Sequence, residues 1–387
     1  MKTISKDRQA VVLADRLRLP APLRPAHRLL TAVREPGLAP RRSTPLRMLG
    51  KDLGWLATSM LAAGTGAALA ATGPTGALLG IPMAAAGILV AIGRNRRLVV
   101  SHLHEASHGI AADFYRKRGM SDRNARRIAE AILDIGSSVT LTLNGQDYRT
   151  THALHHEFEH LGTLRDPDGA MLKAWRIWPD ETRNLRSTLV RTALNPIWHL
   201  RFLRDRILGN VARGKPYRRA LGASVLAVLA GSALVLPLPV WFAAVFLPFG
   251  PGYHLATLAQ LTTIHPYGFR DGAATLGDYA ERTWERIPYT PMPAKGSGAG
   301  AWLRWSWSML GHAIARATVL DDTMIPHGYH HLAWPLGRAF DDWWNTAQYW
   351  ADAHAAGALP EGAGDRIVWG LTEAWDRQQA HFDRMRG

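Results

Sequence analysis

Residues 53–93 read LGWLATSMLAAGTGAALAATGPTGALLGIPMAAAGILVAIG, and none of these 41 residues is Asp, Glu, Lys or Arg. As a helix rising 1.5 Å per residue the stretch is roughly 60 Å long, enough to cross a ~30 Å hydrocarbon core twice. Gly73-Pro74-Thr75-Gly76 falls at its middle and supplies the turn. A second charge-free stretch runs for 50 residues from Ala220 to Phe269 and breaks at Pro237-Leu238-Pro239. It too allows two crossings, and the roughly ten residues left over carry His265 beyond the membrane. Soluble helices rarely lack charge on every face for so long, so buried hairpins of a soluble protein are the weaker reading. The expected fold is an all-α integral membrane protein. Its four transmembrane helices form two hairpins (about 53–72, 75–93, 220–236 and 240–262), with a helical domain outside the bilayer.

The flanks give an orientation. Arg94-Asn95-Arg96-Arg97 follows the first hairpin and Lys215-Pro216-Tyr217-Arg218-Arg219 precedes the second, while the hairpin turns carry no charge. The positive-inside rule then places both termini and the segment between the hairpins in the cytoplasm. Residues 1–51 hold twelve Lys or Arg against three acids and read as a basic arm broken by prolines. Residues 52–340 form the membrane and metal domain, and 341–387 a pair of cytoplasmic helices. The first apolar run begins too late for a signal peptide, and the expected setting is a bacterial cytoplasmic membrane. Formal net charge is +15. Juxtamembrane charge facing anionic lipid accounts for it, and no nucleic-acid motif competes. Residues 127–143 are apolar but contain Glu130 and Asp134, which suits a packed or interfacial helix. Residues 195–208 set Trp198, Leu200, Phe202 and Leu203 among Arg201, Arg204 and Arg206, as in an amphipathic helix on a membrane.

The chemistry lies in histidine. There is no cysteine, which excludes disulfides, iron–sulfur clusters and zinc–thiolate sites. Three runs stand out: His104-Glu-Ala-Ser-His108, His152-Ala-Leu-His155-His156 and His327-Gly-Tyr-His330-His331. Residues three and four apart share a helix face, so each run can present two or three ring nitrogens together. Adjacent members such as His155 and His156 diverge by about 100° and can serve two metals. Eight imidazoles are too many for one zinc and suit a pair of metals of the iron, zinc or copper kind.

These runs, between and after two apolar hairpins, resemble the three histidine boxes of the membrane fatty acid desaturases. The likeness extends to Gly162-Thr163 and Asp166-Pro167-Asp168 after the second box, and to His331-Leu-Ala-Trp-Pro335 closing the third. Gln260-Leu-Thr-Thr-Ile-His265 stands where some bacterial members carry a further ligand. It covers roughly residues 50–340. The resemblance implies two non-haem irons held by His104, His108, His152, His155, His156, His265, His327, His330 and His331, with no catalytic residue beyond the metal site. Glu105, Glu157, His160, Asp166 and Asp168 are expected to hold ligands from behind, and Asp113, Asp134 and Asp147 are further candidates. It also implies O₂ as co-substrate, an acyl or other lipid substrate, and desaturation of an unactivated C–H pair, with hydroxylation as the alternative. With no cysteine for a cluster and no haem-binding His-Pro-Gly-Gly, the electrons come from a separate donor, such as an acidic ferredoxin with its reductase.

Two other classes compete. His104-Glu105-Ala-Ser-His108 also spells the zincin signature, but that leaves the other two runs idle. Glu105-x-x-His108 and Glu157-x-x-His160 spell the motif of carboxylate-bridged di-iron bundles, which are soluble four-helix proteins. The two charge-free hairpins oppose that fold. His102, His254 and His312 fall outside the boxes.

Overall fold

A computed structural model of the protein describes residues 7–333, 342–359 and 366–386. Trp334 and Pro335, which complete the context of the third histidine run, and the 340/341 boundary lie outside the described residues. The described chain is mostly helical. Helix α1 spans Pro45–Ala70, opened by Thr44, whose side chain accepts from the Arg47 amide, and by Pro45 in the first turn. It therefore starts before the charge-free stretch. The intervening Asp52 is buried and its charge is met by Arg94 at 2.7 Å and by Arg97 Nε at 2.8 Å.

Helix α2 runs from Pro74 to Ser107, 34 residues, past the expected end at 93. Beyond the Asp52 ion pairs, small residues let it pack closely on α1. A Cβ at Gly80 would lie 2.4 Å from the Ala70 nitrogen, and one at Gly87 2.5 Å from the Ala63 nitrogen. Ser59, Ala63, Gly66 and Ala70 thus face Gly80, Ala84 and Gly87, which lets the two backbones touch. Near its end α2 widens into a π turn over Leu98–Leu103 before His104–Ser107 closes it. Such turns shift the phase of the residues that follow, and here they deliver His104 and His108.

The chain then forms α3 (Asp122–Thr140), α4 (Gly145–His155), α5 (Pro167–Ala174), α6 (Pro196–Val211) and α7 (Pro216–Gly231). One face of α3 is buried, as expected of a packed helix. In α6, Ile197, Leu200 and Leu208 are exposed beside Arg201 and Arg204. Arg206 turns inward instead and donates to the carbonyls of Phe249 and Thr140. The Thr140 carbonyl ends α3, where a cation is stabilised, and the Phe249 carbonyl lies just before a local break in the backbone at Gly250. Helix α7 has 16 residues, extended by a 3-10 turn, Ser232–Leu234, and is shorter than the other apolar helices. Helix α8, Leu238–Ile264, is again long enough to span. Among the described residues three helices, α1, α2 and α8, are therefore long and apolar enough to cross a membrane.

Beyond α8 come α9 (Ala299–Thr318), α10 (His327–Ala333) and α11 (Gly370–Arg386). A two-stranded parallel sheet, β1 (Glu285–Ile287) with β2 (Ile367–Trp369), joins these parts and was not legible as strands. The N-terminal arm packs here too: Arg8 donates to Glu373 of α11 at 2.9 Å, and Tyr289 to Asp15 at 2.9 Å.

Candidate metal centre

Four elements bring the histidines together. The end of α2 supplies His104 and His108, α4 and its C-cap supply His152, His155 and His156, the residue after α8 supplies His265, and α10 supplies the rest. Their ligand nitrogens sort into two groups. His104, His108, His156 and His330 form one, and His155, His265, His327 and His331 the other, each with its nitrogens within 4.8 Å of one another. His152 joins the first group, with Nε2 2.9 Å from His108 Nε2 and 3.0 Å from His156 Nε2. The adjacent pairs divide as the helix angle requires: His155 and His156 go to different groups, and so do His330 and His331.

The spacing tests whether a metal fits. His108 Nε2 also lies 3.2 Å from His330 Nε2, and His331 Nε2 is 3.0 Å from His327 Nε2. A neutral ring nitrogen carries either one hydrogen or one lone pair, so it makes one hydrogen bond in its plane. His108 Nε2 and His152 Nε2 each meet two other ring nitrogens, so hydrogen bonds cannot satisfy them all. Two nitrogens about 2.1 Å from a shared ion and at about a right angle to it are roughly 3.0 Å apart, which is this spacing. His104 Nε2 and His265 Nε2 are buried without a hydrogen-bond partner among the described residues. The donor set is all imidazole, which suits iron, zinc, copper or nickel.

The second group is held from behind, so that Nε2 points inward. Asp166 accepts from His155 Nδ1 at 3.0 Å, and also caps α5 and accepts from the Gly162 amide. The Arg282 carbonyl accepts from His265 Nδ1 at 2.9 Å. The Tyr279 oxygen lies 2.9 Å from His331 Nδ1, while its O–H donates to the His156 carbonyl. Such partners fix the tautomer and ring angle. Tyr279 and the Arg282 carbonyl were not among the expected partners. No local motif marks them, because each meets its histidine only through the tertiary fold.

The other expected partners separate clearly. Glu105 is buried with Oε1 3.2 Å from His104 Nδ1 and Oε2 3.9 Å from His330 Nδ1. Asp168 stands 3.9 Å from His155 Nδ1. Glu157 and His160 pair with each other at 3.0 Å and belong to neither group. Asp113 pairs with Arg116, Asp134 with Tyr217 and Arg218, and Asp147 with Asn144. His102 meets Asp52 at 2.8 Å, His254 meets His199, and His312 meets Thr290.

Burial, followed by repulsion from neighbouring imidazoles, holds His108, His152, His156, His265, His327 and His331 well below the usual histidine range. They are neutral at pH 7 and have no proton to shed before binding a metal. His155 is the exception. Burial opposes its charge, but Asp166 overrides it and pushes the ring up to about 9.

A cavity of about 410 Å³ reaches both groups, touching His104, His152, His155 and His327. Its walls include Val100, Tyr148, Leu261 and Ile264, together with Trp175 after α5 and Phe202 of α6. Arg96 and Arg206 stand on one wall, flanking Tyr253 with guanidinium carbons 4.9 and 3.7 Å from the ring centroid. Arg96 ties α2 to α8 by donating to Thr257 at 2.8 Å and to Gln260. Comparison with models of known protein families, with curated proteins and with solved structures finds no match to this chain.

Proposed function

We propose that the chain is an O₂-dependent membrane desaturase, with two irons held by the nine histidines and an acyl lipid as substrate. The observation that carries this reading is the pair of imidazole groups side by side, both lining one mostly apolar cavity. When bound, the irons would supply the reduction of O₂ coupled to hydrogen removal from an unactivated C–H bond. The protein's own part is positioning. His155, His265 and His331 are locked with Nε2 inward, and the apolar walls exclude water and hold a methylene beside both groups. Forming one C=C bond consumes O₂, two electrons, two protons and the two hydrogens removed, and releases two waters. A separate donor supplies the electrons, and the basic cytoplasmic face suits an acidic one.

In this reading the membrane part has four crossings. The charge-free part, Ala220–Leu234, measures about 24 Å when the 3-10 turn is included, somewhat short of the ~30 Å core, with Arg218 and Arg219 at its cytoplasmic end. The positive flanks of both hairpins put the histidines on the cytoplasmic side. Glu105 lies behind a ligand ring rather than across a substrate cleft, which disfavours the zincin role. Glu157-x-x-His160 stands apart, which disfavours the carboxylate-bridged bundle.

The test is incubation of the reduced, iron-loaded protein with an acyl substrate and a ferredoxin under ¹⁸O₂. The expected product is an alkene without label. An alcohol retaining ¹⁸O would replace desaturation by hydroxylation, which needs the same site.

A further inference from the structure

Helix α9 has its polarity turned inside out. On its inner face Trp305 Nε1 donates to the Thr290 carbonyl at 2.9 Å, Ser308 Oγ lies 2.6 Å from Thr290 Oγ1, and His312 Nε2 lies 2.9 Å from the same atom. Its outer face carries Leu303, Trp307, Leu310 and Ile314, at helical spacings of four, three and four, and these are 73, 76, 50 and 43 % exposed. The exposed charge on this helix is Arg304 alone, since Arg316 turns in toward the Leu320 carbonyl and Asp322. A helix on a water-soluble domain shows the reverse pattern. Four large apolar side chains exposed along one helix face mark an interaction surface.

The neighbour of α9 says what covers it. Its last turn packs on α2, where a Cβ at Gly93 would strike the Ala317 carbonyl. Helix α2 is one of the three able to span and itself exposes Leu78, Leu79 and Ile81. Helix α9 therefore packs on a helix that itself exposes apolar surface and is able to span. Trp307 on the outer face, with a single long basic side chain able to reach the headgroups, suits a helix at the bilayer interface.

We propose that α9 lies in the membrane, its Leu303–Ile314 face bound to the acyl–headgroup boundary of the leaflet on the histidine side. The segment from Arg270 onward is then not wholly in water. Because α9 leads within nine residues into His327, this anchor also fixes the height of α10 and its histidines above the bilayer. The inference rests on the membrane reading of α2 and not on the metals.

The absence of cysteine makes the test direct. Leu303→Cys and Leu310→Cys would each carry a nitroxide, in nanodiscs of phosphatidylethanolamine and phosphatidylglycerol holding one chain each. Leu79→Cys serves as the lipid reference and Arg126→Cys as the aqueous one. Both α9 labels are expected to collide with O₂ in preference to a water-soluble nickel chelate, by a ratio several-fold above that at 126 and close to that at 79. Labels at 303 and 310 as open to nickel as 126 would overturn the inference while leaving the span intact. Labels shielded from both reagents would overturn it in favour of a protein cover. Nickel access at 79 would overturn the membrane reading and the inference together.

Discussion

His330→Ala is expected to abolish turnover and to lower bound metal from about two ions per chain to about one, because it removes a ligand from the first imidazole group. His265→Ala is expected to do the same to the second. The activity loss in each should exceed the roughly 10–100-fold typical of disturbing an outer partner. Two nearby histidines supply the contrast. His102 lies on the same helix as His104 but faces Asp52, and His254 lies in α8 but faces His199. Their alanine variants should keep both ions. Metal analysis of the four purified proteins checks the prediction, and loss of metal in the His102 and His254 variants alone would show the ligands to be misassigned.

Asp166→Ala is expected to weaken metal binding at the second group by roughly 10–100-fold, since His155 loses the acceptor that fixes its ring. It should also cost about 1 kcal/mol of stability, because the same carboxylate caps α5. The pH dependence distinguishes these effects. With Asp166 present, the metal-free His155 ring is raised to about 9, so at pH 7 a proton must leave before the metal binds. Affinity of the wild-type second group should therefore rise with pH up to about 9. Without the carboxylate, burial opposes the charge against the smaller pull of Asp168 only, so the ring falls and that slope should flatten. Metal titrations between pH 6 and 9 measure both. An unchanged slope in the variant would remove Asp166 from this role.

What sequence reveals here follows the range of each interaction. The histidine runs are short, so helix spacing alone told that members would share a face and that adjacent ones would part. His265, 109 residues beyond His156, was placed by a looser motif, yet it completes the second group. Charge-free runs marked the apolar hairpins but not their ends. Asp52 hides inside α1 because Arg94 and Arg97 meet its charge and His102 contacts it at 2.8 Å across the helix pair. The inward turn of Arg206 depends on distant carbonyl groups, and the hold of Tyr279 on His331 spans 52 residues. Such contacts leave no local periodicity to read. The β1–β2 pair escaped for the same reason: three residues each, mostly buried, with partners 82 positions apart in the chain.

The most direct measurement is iron content with iron-edge X-ray absorption on the wild-type protein, purified in detergent and loaded with ferrous iron. The expected result is about two irons per chain in a shell of nitrogen donors, mostly imidazole, with no sulfur. A single zinc that iron does not displace, or iron bound at well under one per chain, would contradict the di-iron centre.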